Sequence, residues 1–433
     1  MRQDIPFREA FRYWLKLGFI SFGGPAGQIA MMHKDIVEKK KWVSDNHFLQ
    51  ALNFCMLLPG PEAQQLAVYI GWLMHRTWGG IVAGTLFVLP SVFILWGLSW
   101  MYASFGNIPA VSALFYGLKP AVVAIVAEAV IRIGRKSIRN EALAALAASA
   151  FIGIYILDVP FPVIVFAAGT IGYLGGVYSP KWFVVLKPRQ APEGQDAQGG
   201  YPAADAGRPR WPRAFKVTGV CLTMWALPVA VLGAWFGWDS IFVDIGVLFS
   251  KAAVVTFGGA YAVLSYVGQQ AVEHYGWIRQ EQMMDGLALA ETTPGPLIMV
   301  NQFVGYVAAY NNTCGLTPGV AGAVGGLLTT WVTFLPSFLF VLLLAPYIER
   351  LRGNARLGAA LSAITAAVVG VVLNLGVNFT RHAVVSDAGG LDLFAVAAAA
   401  AAFLGMQFLK WPMLPVIAGS ACAGYLWKAV FAM

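Results

Sequence analysis

The two halves of this chain carry the same marks in the same order. Lys16, Phe22-Gly23-Gly24, Glu38, Trp42 and Pro59-Gly60-Pro61 return as Lys251, Phe257-Gly258-Gly259, Glu273, Trp277 and Pro294-Gly295-Pro296, each pair 235 residues apart (16 to 251, 61 to 296). Gly79-Gly80 and Leu89-Pro90-Ser91 return as Gly325-Gly326 and Leu335-Pro336-Ser337, now 246 residues apart (79 to 325, 91 to 337). A half-chain repeat in apolar sequence broken by Gly and Pro is the pattern of secondary transporters whose substrate site lies where the helices break.

Composition fixes the solvent. Of 433 residues 58% are apolar and 12% charged, with a mean hydropathy of +0.67. A soluble domain carries roughly twice that charged fraction. Apolar runs of about 20 residues, long enough to cross a bilayer, recur along the chain, and they are too long and uniform for barrel strands. The formal charge of +8 does not indicate nucleic acid, because most Lys and Arg sit in short loops between apolar runs, as orientation by positive charge requires. Cys55, Cys221, Cys314 and Cys422 show no CxxC spacing and read as small apolar filler, so no metal and no cofactor is expected. Arg8, Glu9, Arg12 and Lys16 interrupt any signal-peptide core, so no cleaved leader is expected. No Walker A, HExxH or GxSxG motif is present, which argues against a pump driven by ATP and against an enzyme.

The expected fold is an all-α polytopic membrane protein of about thirteen transmembrane helices, its halves inverted repeats with Gly/Pro-broken helices. The first repeat spans 1–180. A polar Gly/Pro-rich linker, expected to be cytoplasmic, covers 181–215, a connecting helix 216–237 and the second repeat 238–433. If each Pro-Gly-Pro segment crosses once, most basic residues fall inside, including Arg132, Arg135, Lys136 and Arg139 together with Arg350, Arg352 and Arg356. Lys34, Lys39, Lys40 and Lys41 are then stranded outside. Re-entrant Pro-Gly-Pro segments would bring that cluster in, but would make the halves parallel and move Arg350–Arg356 out.

The breaks are where chemistry is expected. Each Pro lacks a donor and blocks the helix behind it, and Gly permits the bend. With Pro61 and Pro296 at first helical positions, the amides of Glu62 to Gln64 and of Leu297 to Met299 are free, and such helix ends bind anions. The alternative is a kinked helix packed on its neighbours, and two matched copies weigh against it. Ser21-Phe22-Gly23-Gly24 and Thr256-Phe257-Gly258-Gly259 form a second matched pair with a hydroxyl in each, or else a close-packing motif. Lys251, Lys16 and Lys119 are candidate cations, although Lys16 near its helix start can snorkel. Glu62, Glu128 and Glu291 are the intramembrane acids expected to couple charge, while Gln64 and Asn301 supply amide donors.

The segments SFGGP (21–25), LLPGPEAQQLAVYIGW (57–72), FGGAYAVLSYVGQQAVEHYGWI (257–278) and GLALAETTPGPLIMVNQFVGY (286–306) resemble the chromate ion transporter family, in its long two-domain form. That resemblance implies gradient-driven efflux of chromate from the bacterial cytoplasm, thirteen spans and antiparallel halves. It makes the partners a chromate-like oxyanion and the lipid bilayer of the inner (plasma) membrane, crossed many times, with a homodimer left open. Sulfate, a dianion of the same shape, and an oxyanion-selective channel are the alternatives.

Overall fold

The structure, a computed structural model, describes residues 5–183, 211–257, 259–347, 355–385 and 390–431. Gly258, most of the expected linker, Arg350 and Arg352 lie outside the described residues. The regular elements among those described are all helical. The first half holds α1 (Phe7–Ile20), α2 (Gly24–Met32, running on in π-helical turns to Lys39), α3 (Asp45–Cys55), α4 (Glu62–Phe105), α5 (Pro109–Ser137), α6 (Glu141–Tyr155), α7 (Phe161–Tyr178) and the short α8 (Pro180–Phe183). Helix α9 (Trp211–Phe236) connects to α10 (Ile241–Val255), α11 (Ala260–Gly268), α12 (Gln280–Thr292), α13 (Val300–Asn311), α14 (Pro318–Leu344), α15 (Ala355–Val384), α16 (Leu393–Leu409) and α17 (Met413–Phe431). Their starts are written locally. Asn140 and Asp392 accept the amides of Leu143 and Ala395, both at 3.0 Å, and proline occupies the first turn of α5, α7 and α14.

Both breaks of each half turn the chain back. Lys40, beyond α2, pairs with Glu9 at the start of α1 at 2.8 Å, and Trp42 meets Tyr13 with ring centres 5.4 Å apart. In the second half α11 likewise packs back against α10. Across the first Pro-Gly-Pro, Phe54 and Tyr69 meet with ring centres 5.6 Å apart. A straight helix would separate them by about 22 Å at 1.5 Å per residue. Across the second, Gly286 lies against the ring of Phe303. The Pro-Gly-Pro segments are therefore hairpins, and the expectation that each crosses once is corrected.

A third reversal was not expected. Helix α4 leaves helical geometry at His75 and Arg76, where Arg76 has φ 55°. Beyond it Gly79 packs against Gly71, and a side chain on Gly80 would meet the Val68 carbonyl at 3.0 Å. The second half makes the same reversal between α13 and α14, with Gly322 against Tyr306 and Gly326 against Gln302, but through a loop at 312–317. The repeat offset changes from 235 to 246 at this place, so the added residues lengthen one turn and leave both cores in register.

Among the described residues seven helices are long and apolar enough to cross a membrane, and α6 and α16 are shorter apolar helices. Segments 10–31, 44–75, 241–267 and 283–310, each apolar enough in sequence to be expected as one of the thirteen spans, are the hairpins. The hairpin helices are short and enclosed: α11 is buried along its whole length and α13 from Val300 to Ala309. Broken backbone at membrane depth needs such protein cover. Helices α5 and α15 cross beside them, and Gly117 against Gly424 and Gly172 against Ala363 let neighbouring helices approach closely.

Candidate anion site at four helix ends

The two kinds of break meet each other across the halves. The Gly60 amide of the first Pro-Gly-Pro donates to the Thr256 carbonyl at 2.8 Å, and the Gly295 amide of the second donates to the Ser21 carbonyl, also at 2.8 Å. Each turn is thus fixed by the opposite half. Gly60 has φ +129° and Gly295 φ +113°, a region costly for any residue with a Cβ. Such a Cβ would lie 2.5 Å from Ser337 Oγ at Gly60 and 2.5 Å from Ser91 Oγ at Gly295. Those serines are the matched Leu-Pro-Ser positions, so two further repeat marks close over the turns.

Around this junction is one small cavity, lined by Pro25 and Gln28 of α2, Pro61, Glu62 and Ala63 at α4, Thr256, Gly259 and Ala260 at α11, and Pro296, Leu297 and Ile298 before α13. Four helices begin there. First-turn amides lack intrahelical acceptors, and each helix start carries roughly +0.5 elementary charge. Four of them supply about +2, the charge that offsets a dianion. The helices start at Glu62 and Leu297, so Pro61 and Pro296 stand one position earlier than expected. The Met299 amide is engaged by the Pro296 carbonyl at 2.9 Å, which leaves the amides of Leu297 and Ile298 as the pair without a backbone acceptor. The cavity measures about 10 Å³, room for about one water. A tetrahedral oxyanion enters only if the helix ends separate.

Not every expected residue is there. Lys251 and Lys16 are exposed on the outer sides of α10 and α1, and Lys119 is half-buried on α5 toward Asp285; none lines the cavity. Ser21 and Thr256 hydroxyls donate to Leu17 and Ala252 carbonyls, each at 2.6 Å, so their protons are already engaged. Gly23 and Gly24, at φ 90° and 67°, start α2 just outside the lining. Pro59 accepts Gln65 Nε2 at 2.7 Å, and Pro294 is buried in the second turn. Gln64 and Asn301 are buried behind the helix ends. Glu128 pairs with Arg132 at 3.3 Å, and Glu291 accepts Tyr261 Oη at 2.6 Å.

Gln28 is the lining residue that sequence reasoning missed. It is fully buried, and its Nε2 donates to the Gly295 carbonyl at 2.6 Å and to the Ser21 carbonyl at 3.3 Å. Its repeat mate is Val263, so the repeat gave no signal for it.

A multi-pass helical protein with paired re-entrant hairpins and helix starts facing one cavity belongs to the class of membrane transporters. The chain belongs to the chromate transporter family, which matches residues 8–173 and 243–425. It is 30% identical over 419 residues to the chromate transport protein of Cupriavidus metallidurans, covering 96% of this chain and 92% of that one. It is 31% identical over 431 residues to the chromate transport protein of Pseudomonas aeruginosa, covering 98% and 92%. The probable chromate transport protein of Synechococcus elongatus is 26% identical over 376 residues, covering 87% and 85%. No solved structure matches the chain.

Proposed function

We propose that this protein is a secondary active transporter that exports chromate, or a related tetrahedral oxyanion, across the bacterial inner membrane. The observation that carries the reading is the convergence of four helix starts from both halves on one cavity. Amides and aligned dipoles suit an oxyanion, which needs many donors when it leaves water. Substrate is held by the ends of α2, α4, α11 and α13, with Gln28 bridging two of them. Glu62 on the wall governs charge: ionised, it takes about one of the roughly two positive charges the helix ends offer. The cavity's size favours a carrier over a pore, because the site must open to admit substrate.

Orientation follows the hairpins. The face where α1 begins receives Lys34, Lys39, Lys40, Lys41, Arg76, Lys136, Arg139, Arg356 and Lys410. The opposite face receives Arg279, Arg381 and Lys428 among the described residues. The basic face is cytoplasmic on the positive-inside rule. The division into repeats at 1–180 and 238–433 with a cytoplasmic linker at 181–215 is part of this proposal. Reconstituted protein should exchange labelled chromate across sealed vesicles, with sulfate and molybdate as competitors that grade its selectivity. Vesicles that exchange none of these anions would refute the reading.

A further inference from the structure

Helix α12 carries two buried carboxyl groups that the cavity does not use, Asp285 and Glu291, six positions or about 9 Å apart along its axis. Both are buried, at 5% and 4% exposure. Each accepts one hydrogen bond from a tyrosine of another helix. Tyr102 of α4 donates to Asp285 Oδ2 at 2.8 Å, and Tyr261 of α11 donates to Glu291 Oε1 at 2.6 Å. Asp285 Oδ1 has no partner among the described residues. No basic nitrogen among those residues lies within 4.0 Å of either carboxyl. The charged groups that bear on Asp285 are Lys119 of α5 with Arg279 and Glu281 at the start of α12. Those that bear on Glu291 are Arg132 and Glu128 of α5.

A carboxylate buried at membrane depth with only a neutral hydroxyl for a partner is costly in its ionised form, and such positions are where transporters carry protons. A purely structural pin would have both oxygens satisfied. The order of the groups also matters. Asp285 and Tyr102 lie toward the face where α12 begins and α4 ends. Glu291 stands three residues before Pro294, at the break. Glu128 and Arg132 lie in the last turns of α5, toward the opposite face, and α5 packs along α12. Titratable side chains therefore run from one face to the other beside the anion cavity.

We propose that this line is a proton path, with Asp285 and Glu291 as the carboxyls that carry the coupling proton and Tyr102 and Tyr261 as positioning residues. The inference rests on the reading of the chain as a secondary transporter. It links the two ions mechanically. Tyr261 follows Ala260 on the cavity wall and Glu291 precedes the second Pro-Gly-Pro, so their hydrogen bond joins the two hairpins whose ends line the cavity. Gain or loss of the Glu291 proton alters that bond and with it the freedom of those ends to separate.

The test uses the full chain in sealed vesicles with a pH dye inside. Two quantities are read: exchange of labelled for unlabelled chromate, which needs no net proton movement, and proton movement driven by a chromate gradient. Wild type should show both. Asp285→Asn and Glu291→Gln should keep exchange within about twofold while gradient-driven proton movement falls about tenfold or more, as expected of intramembrane proton carriers. Tyr261→Phe should shift the pH profile of net transport, and Glu291→Asp should restore part of the proton movement. Undiminished proton movement in Asp285→Asn and Glu291→Gln overturns the proposal. So does loss of exchange in both, which would assign the carboxyls to folding or to the anion site. Wild type that exchanges chromate without moving protons overturns the path and leaves the transport reading standing, whereas wild type that exchanges no oxyanion removes both.

Discussion

Alanine at Gly295 should harm this protein more than alanine at Gly60, although the two glycines are repeat mates. Both sit at positive φ, +113° and +129°, where an L-residue costs about 1–3 kcal/mol. They differ in what the new Cβ meets. At Gly60 the near atoms are Ser337 Oγ at 2.5 Å and Gln65 Nε2 at 2.6 Å, both at side-chain ends; Ser337 Oγ has no partner among the described residues, and Gln65 turns aside by giving up its bond to the Pro59 carbonyl. At Gly295 they are Ser91 Oγ at 2.5 Å and Ser91 Cβ at 2.6 Å. The second of these cannot move without the backbone of α4, and Ser91 Oγ is held by the Val88 carbonyl at 2.7 Å. Overpacking of that kind adds about 1–3 kcal/mol, and misalignment of the Gly295 amide on the Ser21 carbonyl adds about 1 kcal/mol. Gly295→Ala therefore loses about 3–7 kcal/mol, and Gly60→Ala about 2 kcal/mol less. Denaturant titration of the purified variants reads the difference, with chromate exchange measured in parallel. Ser91→Gly placed in Gly295→Ala should recover the overpacking part and leave the backbone part. Equal losses in the two alanine variants, or a reversed order, would refute this account of the turns.

Glu62→Gln removes the carboxylate that competes with substrate for the helix ends, so apparent affinity for a dianion should rise about tenfold or more at alkaline pH, given about 4 kcal/mol between charges 4 Å apart near a protein surface. Its dependence on pH should flatten when sulfate or molybdate, dianionic throughout, is the competitor; an unchanged profile would show that Glu62 does not compete with substrate for the helix ends. Lys251→Gln and Lys16→Gln alter exposed residues outside the cavity, and their substrate affinity should stay within about twofold of wild type, as for other surface substitutions. Single cysteines at Lys41 and Arg76 should be labelled from the same face as one at Lys136, and a cysteine at Arg279 from the other. Labelling of Lys41 from the Arg279 side would restore single crossings and undo the hairpins. Gln28→Leu removes both of its hydrogen bonds to break carbonyls and should lower chromate affinity, with normal affinity marking Gln28 as packing only.

What the sequence made legible follows from how each feature is encoded. A broken helix needs Pro and Gly, residues with distinctive backbone behaviour, and both pairs of breaks stand out because each occurs twice. Their mutual hydrogen bonds do not stand out, since backbone amides leave no mark in sequence. Lys251 drew attention as a charge in an apolar run, but a helix has two sides and the run does not say which faces the cavity. Asp285 was overlooked for the opposite reason. It stands near the start of its apolar run, where an acid reads as interfacial, and only the return of α4 brings Tyr102 over it. Gln28 and Tyr261 have Val263 and Ala26 as mates, so a search by repetition passes over them.

The direction of the halves turns on parity. Were only the Pro-Gly-Pro segments re-entrant, the first half would cross five times, the connecting helix would make six, and the halves would be parallel. With Ser21–Gly24 and its mate also turning back, the first half crosses four times, by α4 beyond Arg76, α5, α6 and α7. On the proposed topology helix α9 then makes the total odd, and α10 would enter from the face opposite α1. The same change brings Lys34 and Lys39–Lys41 to the face of Lys136 and keeps Arg356 there, so the conflict in the basic residues disappears. Inversion also accounts for the reciprocal bonds. Hairpins that enter from opposite faces meet tip to tip at mid-depth, so Gly60 reaches Thr256 while Gly295 reaches Ser21.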